Sequence, residues 1–168
     1  MCSSDLAYYF TAGKSRRRGA ELGGEIVTAP GLSARVAGAL TKNEYVVYSN
    51  DLGNFSGNES AGLPSVTFDL RARYDSPAGA YVESAVHARD DYFADDANLT
   101  RVAAFATWDA TVGLKRDLGR ARIDTFFGVA NLLDTPYVAS VFINGNAGRF
   151  FEPGMERNLV FGLSCRFE

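Results

Sequence analysis

Four aspartates crowd one short stretch of the chain: Asp90, Asp91, Asp95 and Asp96. Carboxylate oxygens are the ligands calcium prefers, so a loop ion site is one chemistry this cluster suggests. The spacing is not that of an EF-hand, and a solvated acidic loop is the simpler reading. His87 is the single histidine. A nucleophilic triad would place a serine and a carboxylate around it, yet the sequence has no nucleophile elbow, and His87 reads as a plain wall residue. Gly145-Asn146-Ala147-Gly148 is glycine-rich but precedes no helix pattern, so it lacks the N-terminal amides that cradle a phosphate. Cys2 and Cys165 lie near opposite ends, with no metal-ligand or disulfide spacing. The expectation is a protein without catalytic residues, resident metal or cofactor.

The elements that position these residues read as strands. From Arg157 to Phe167 the chain alternates: Leu159, Phe161, Leu163, Cys165 and Phe167 point one way, and Asn158, Val160, Gly162, Ser164 and Arg166 the other. Side chains of a strand alternate between faces, so this strand has one apolar face and one small or polar face. The same period recurs over 17–28, 32 to about 48, 65–74, 80–89, 106–116 and 120–130, with residues 7–12 read as a strand end. The clearest case sets Val66, Phe68, Leu70, Ala72 and Tyr74 against Thr67, Asp69, Arg71 and Arg73. Composition agrees. Among 168 residues there are 17 Gly, 12 Phe and 8 Tyr, with 46% hydrophobic content. Many short aromatic strands suit that balance better than helices. No run approaches the roughly 18 apolar residues of a spanning helix, which leaves alternating strands open as a way across a bilayer. The net charge of -3 argues against nucleic acid as a partner.

The connections sort by length. They are short at 29–31, 75–79 and 117–119, and long at 49–62, 90–102 and 131–156. In an antiparallel meander successive connections fall at opposite ends, so one end carries tight turns and the other long loops. Outer-membrane barrels have this asymmetry. The apolar faces lack charge along whole strands, whereas the opposite faces carry Glu21, Glu25, Asp69, Arg71, Arg73, Glu83, Asp109, Lys115, Asp124 and Arg166. Charges of both signs can pair across neighbouring strands around a wet lumen. Tyr45, Tyr48, Tyr92, Phe93, Phe105 and Trp108 near the long loops, with Tyr74 and Phe167 near the turns, read as two aromatic girdles. The fold expected is all-β: an antiparallel up-and-down meander of about seven or eight strands, part of a larger transmembrane β-barrel.

Several segments, in order, resemble TonB-dependent outer-membrane receptors of the ferric-siderophore type. Arg18-Gly19-Ala20-Glu21-Leu22 resembles the family's Arg-Gly-x-Glu-Leu strand, and Leu63-Pro64 its Leu-Pro segment after a long loop. Tyr92, Asp95 and Asn98 fit a Tyr-x-x-Asp-x-x-Asn loop. Asn131-Leu132-Leu133-Asp134-Thr135-Pro136-Tyr137 fits Asn-Leu-x-Asp-x-x-Tyr, the most specific of the set, and Pro153-Gly154-Met155-Glu156-Arg157 resembles Pro-Gly-x-x-Arg. Gly162, Cys165 and Phe167 resemble the terminal signal read by the barrel-assembly machinery, although Glu168 follows the aromatic and Cys165 stands where Leu or Tyr is more usual.

The resemblance implies a C-terminal portion, over 7–168, of a barrel of about 22 strands with a plugged lumen. The plug and the TonB-gripped box are absent from it. Residues 1–6 back-translate to the tail of a common sequencing adapter and are expected to be an assembly artefact. The implied role is active uptake of an iron complex such as a ferric siderophore at the bacterial outer membrane. Implied partners are the TonB–ExbB–ExbD system through the missing N-terminal part, the barrel-assembly machinery, and outer-membrane lipid and lipopolysaccharide. Tyr137, Arg149, Phe150 and Phe151, in or near the last long loop, are the candidate ligand-facing residues, by stacking and charge. The basic run Lys14, Arg16, Arg17 and Arg18 suits an anionic siderophore or a lipopolysaccharide phosphate, or simply alternates between lumen and rim. Two other readings are a self-contained eight-stranded barrel, serving as anchor or outer-membrane enzyme, and a soluble β-sandwich.

Overall fold

A computed structural model of the chain describes residues 13–28, 30–145 and 149–167. Residues 1–6, expected to be an assembly artefact, residues 7–12, expected to be a strand end, and Glu168 lie outside them. The strands in chain order are β1 (Gly13–Thr28), β2 (Leu32–Asn50), β3 (Gly53–Asn54), β4 (Val66–Asp75), β5 (Ala80–Arg89), β6 (Tyr92–Phe93), β7 (Arg101–Val102), β8 (Phe105–Leu118), β9 (Ala121–Ala130), β10 (Val138–Val141), β11 (Phe151–Pro153) and β12 (Asn158–Phe167). The long strands form one antiparallel meander in the order β1-β2-β4-β5-β8-β9-β12. This is the expected up-and-down topology. β1, β2 and β8 extend a few residues beyond the ranges read from alternation, mostly toward the loops.

Register carries the face pattern across the whole sheet. Ala37, Asp69 and His87 are cross-strand neighbours, as are Arg73 and Glu83, and Lys115 and Asp124. Cross-strand neighbours share a face, so one face collects the charges. On it Arg73 pairs with Asp75 at 2.7 Å and with Glu83 at 3.3 Å, Arg35 pairs with Glu25 at 3.1 Å, and the Tyr81 hydroxyl donates to Asp124 at 3.1 Å. The other face carries Leu22, Val36, Phe68, Leu70, Trp108, Phe127 and Phe161, all exposed. Among the described residues no second sheet covers them; the remaining sheets are the small pairs β6-β7 and β10-β11. A soluble sandwich would bury this face, because that burial is what holds such a fold together, and among the described residues nothing does so.

Tight turns occupy one end. Gly31, Gly79 and Gly119 sit there with φ of 85°, 84° and 63°, a left-handed backbone that glycine adopts without steric cost. Neighbouring turns are stitched together: the Asp75 amide donates to the Gly31 carbonyl, and the Lys115 amide to that of Gly79, both at 2.8 Å. A Cβ on Gly31 or Gly79 would meet the neighbouring carbonyl oxygen at 2.1 or 2.3 Å. The long connections occupy the opposite end and carry β3, β6-β7 and β10-β11. Among the described residues β1 and β12 each pair along one edge, so the sheet is an open arc.

The girdle reading needs correction. Trp108 lies on the outward apolar face, but Tyr92 is buried in the loop layer, Phe105 stacks on Tyr137 with ring centroids 4.6 Å apart, and Tyr45 and Tyr48 turn toward Asp96. The small apolar core is therefore in the loops: Tyr92, Ala94 and Val102, with Val138, Val141 and Phe150 against them.

Candidate functional site

The loops at the open rim are ordered by the polar residues of the two most informative sequence motifs. In the first, Asp95 accepts the amides of Leu99 at 2.9 Å and Thr100 at 2.6 Å, which closes the turn between β6 and β7. Asn98, at φ 57°, reaches across to the 49–62 connection, where its side chain donates to the Glu59 carbonyl and accepts the Glu59 amide. Tyr92 fills the core beneath. The three-residue spacing of Tyr92, Asp95 and Asn98 thus serves packing, turn closure and loop-to-loop attachment.

Asp96, only 4% exposed, is the hub of the layer. Its carboxylate accepts the Tyr45 hydroxyl at 2.6 Å, the Tyr48 hydroxyl at 3.2 Å and the Asn144 amide at 2.7 Å. Its carbonyl accepts Asn58 at 2.8 Å. All three long connections therefore meet at one buried anion. Burial, and then donation to Asp96, push the Tyr45 phenol up to about 12. Burial pushes the Asp95 carboxyl up, but the Leu99 and Thr100 donors outweigh it and hold the group below its ordinary value. A solvated acidic loop is thus not what forms: Asp95 and Asp96 are buried structural acceptors. Among the described residues no cluster has the geometry of a metal site.

The second motif builds the last loop. Asn131, 3% exposed at φ 51°, donates its amide to Asp109 on β8 at 2.8 Å. Its side chain donates to the carbonyls of Thr135 at 2.9 Å and Met155 at 3.1 Å. Asp134 accepts the Arg157 amide at 2.8 Å. Tyr137 lies where a Cβ on Gly154 would stand, 2.3 Å from its ring, and the Gly154 amide donates to the Tyr137 carbonyl at 2.7 Å. The segments 131–137 and 153–157 are therefore two halves of one interlocked unit. That pairing is invisible in either motif alone.

Beneath this unit, on the charged face, lies a pocket of about 260 Å³ lined by His87, Phe105, Thr107, Asp109, Tyr137 and Met155, among others. His87 bonds Asp69 through Nδ1, with Nε2 3.9 Å from Asp109. Register across β4, β5 and β8 brings these three together, so no local sequence pattern marks them. Arg89 stands beside the pocket. It donates to the Val138 carbonyl and packs over Phe105 at 4.6 Å and Tyr92 at 5.3 Å.

Of the candidate ligand-facing residues, Tyr137 borders the pocket, Phe150 packs into the loop core, and Arg149 and Phe151 are exposed. The structure does not gather the four into one site. Asn146, Ala147 and Gly148 of the glycine-rich segment lie outside the described residues. At the opposite end of the arc, Gly162 receives the Phe126 ring from β9, which a Cβ would meet at 2.1 Å, while Cys165 and Phe167 share the outward face.

An antiparallel arc with an apolar exterior, a paired-charge interior and ordered loops at one rim is a section of β-barrel wall. The profile of the TonB-dependent receptor-like β-barrel family matches residues 2–132, and the chain belongs to that family. It is 31% identical over 140 residues to the ferrioxamine receptor of Yersinia enterocolitica, covering 80% of this chain and 19% of that protein. The chain thus spans about a fifth of that relative's length. Its fold is similar to that of the ferric yersiniabactin uptake receptor of Yersinia pestis, with TM-score 0.71, 25% identity, and 93% of this chain against 24% of that one. It is also similar in fold to the ferric preacinetobactin receptor of Acinetobacter baumannii, with TM-score 0.78, 15% identity, and 92% against 22%. These are receptors and not enzymes, and the chain is a partial barrel of their kind.

Proposed function

We propose that this chain is the C-terminal part of the wall of an outer-membrane TonB-dependent receptor that takes up an iron complex of the ferric-siderophore type. The observation that carries the reading is the two-faced arc: an outward face uncharged along the middle of the strands suits lipid, and a face of paired charges suits a wet, plugged lumen. The loop layer around Asp96 and the 131–157 unit form the extracellular rim. In this reading the complex is held between that rim and a plug, and the TonB–ExbB–ExbD system supplies the work of release inward. Arg149 and Phe151 are the exposed candidates for contact with the complex, and Tyr137 presents its ring at the pocket below. Gly162, Cys165 and Phe167 carry the assembly signal. Kinship to receptors for ferrioxamine and ferric yersiniabactin supports the substrate class.

The test is uptake of radiolabelled ferric siderophores by cells carrying the full-length receptor, with and without TonB. TonB-dependent accumulation of at least one ferric chelate is expected. Accumulation that persists without TonB, or inactivity with chelates of every class, would overturn the reading.

A further inference from the structure

The pocket under the 131–157 unit contains hydrogen-bonding groups that the wall itself leaves unanswered. Thr107 lines it, is only 8% exposed, and among the described residues its hydroxyl has no hydrogen-bond partner. A buried hydroxyl in that state calls for a partner from outside the wall. Asp109 stands on the same face, two positions along β8. Its Oδ1 accepts the Asn131 amide at 2.8 Å, while Oδ2 has no donor among the described residues. Oδ2 lies 3.9 Å from Nε2 of His87, beyond hydrogen-bond reach. The other nitrogen of that ring, Nδ1, bonds Asp69. A carboxylate only accepts, so Nδ1 carries the proton, and Nε2 of the neutral ring is an acceptor as well. Two acceptors therefore face each other across a gap of 3.9 Å. Thr107, the cross-strand neighbour of His87, adds a third acceptor to the same cavity.

A positively charged donor with several hydrogens would answer all of them, and an ammonium carries three. The lining holds one carboxylate and no lysine or arginine, and a second carboxylate, Asp69, lies behind the imidazole. Arg89 does not line the cavity; its guanidinium packs on Phe105 and donates to the Val138 carbonyl. An anionic arm would meet Asp109 with like charge. The rest of the wall includes Phe105, Tyr137 and Met155, against which methylene groups can pack, and aromatic rings beside a cation add to its attraction. At about 260 Å³ the cavity is smaller than the about 300–1,000 Å³ that encloses a drug-sized molecule, so it takes one arm of a larger ligand.

We propose that this pocket receives an alkylammonium arm of the transported iron complex. The ammonium donates to Oδ2 of Asp109, Nε2 of His87 and the Thr107 hydroxyl, and its methylenes lie against Phe105, Tyr137 and Met155. Tyr137 and Met155 belong to the loop unit of the rim, which puts the pocket where the complex is held. The assignment rests on the uptake reading above and narrows its substrate class to chelates that carry a protonated amine.

The experiment measures equilibrium binding to the full-length receptor in detergent. The probes are a radiolabelled ferric trishydroxamate with a free terminal amine and the same chelate N-acetylated. Three hydroxamates neutralise the iron, so the amine is the only charge by which the probes differ. The unaltered receptor is expected to bind the amine form about tenfold more tightly. Asp109→Asn, which keeps an oxygen for the Asn131 amide, should abolish the preference by weakening the amine form alone. Thr107→Val should reduce it about threefold. Asp124→Asn, the same loss of charge toward the turn end of the same face, should leave it intact. Equal binding of both forms by the unaltered receptor, or a preference that survives Asp109→Asn, would contradict the proposal. Equal weakening of both forms by Asp109→Asn would assign the pocket to a basic side chain of the plug instead. Binding of neither form also rules out the ammonium arm, and TonB-dependent accumulation of an amine-free chelate would then show that the uptake reading stands without it.

Discussion

At the scale of single residues, the rim depends on a few polar side chains whose loss is not local. Asp96 joins Tyr45 and Tyr48 of β2 to Asn144 of the last long connection, segments far apart in sequence. A hydrogen bond to a buried charge contributes about 1.5–3 kcal/mol, and its orphaned partners add a desolvation cost. Asp96→Ala is expected to destabilise the loop layer by about 3 kcal/mol. Hydrogen exchange should show it as a joint loss of protection over 43–60, 92–102 and 138–145. Tyr45→Phe removes one donor and should cost about 1 kcal/mol. Asp95 gives the layer a pH limit. Its folded-state carboxyl is held below the ordinary value, so its contribution is present above the unfolded value of about 3.9 and is lost as pH falls through the lower, folded value. Protection of the Leu99 and Thr100 amides should hold at pH 5 and collapse only at the acid end, below about pH 4.

At the scale of elements, strand order and facing were legible in the sequence, because alternation with period two and length-sorted connections are local signals. The strand containing Phe68 and Leu70 shows why: a one-residue slip would turn every arginine and aspartate of β4 toward lipid. The loops were not legible. Their order comes from contacts between connections, as when Asn98 bonds Glu59 or Gly154 makes room for the Tyr137 ring. The acidic cluster was misread for the same reason, since burial of Asp96 is set by Tyr45 and Tyr48, about fifty residues earlier. The His87 pocket needs three strands in register before it exists. Asn131 tests the interlocked unit. Asn131→Ala removes its side-chain bonds to Thr135 and Met155 and should destabilise the 131–157 segment by about 3 kcal/mol. Leu133→Ala, at an exposed position of the same loop, should stay within about 0.5 kcal/mol. Limited proteolysis of the receptor in detergent would separate the two, with faster cleavage inside 131–157 expected for the asparagine variant alone.

For the whole molecule, the physics reduces to which solvent each face meets. Among the described residues no second layer covers the outward face, so its exposed apolar residues suit contact with lipid or another surface. The inward face answers its own charges by pairing, as Arg73 does with Asp75 and Glu83. Substitution should respond accordingly. Leu70→Arg is expected to cost about 2–4 kcal/mol of folding into a bilayer. Thr111→Arg, on the opposite face, should cost far less. Denaturant titration of the full-length receptor in lipid vesicles would compare them.

The most direct measurement of this central asymmetry is site-directed spin labelling of the full-length receptor in lipid bilayers, one position at a time along 67–71 and 107–111, with a lipid-soluble and a water-soluble relaxation agent. The account predicts alternation. Labels at 68, 70, 108 and 110 should collide with the lipid-soluble agent, and labels at 67, 69, 71, 107, 109 and 111 should not. Labels at 68, 70 and 108 shielded from both agents would place those side chains in a dry protein interior and contradict the barrel wall.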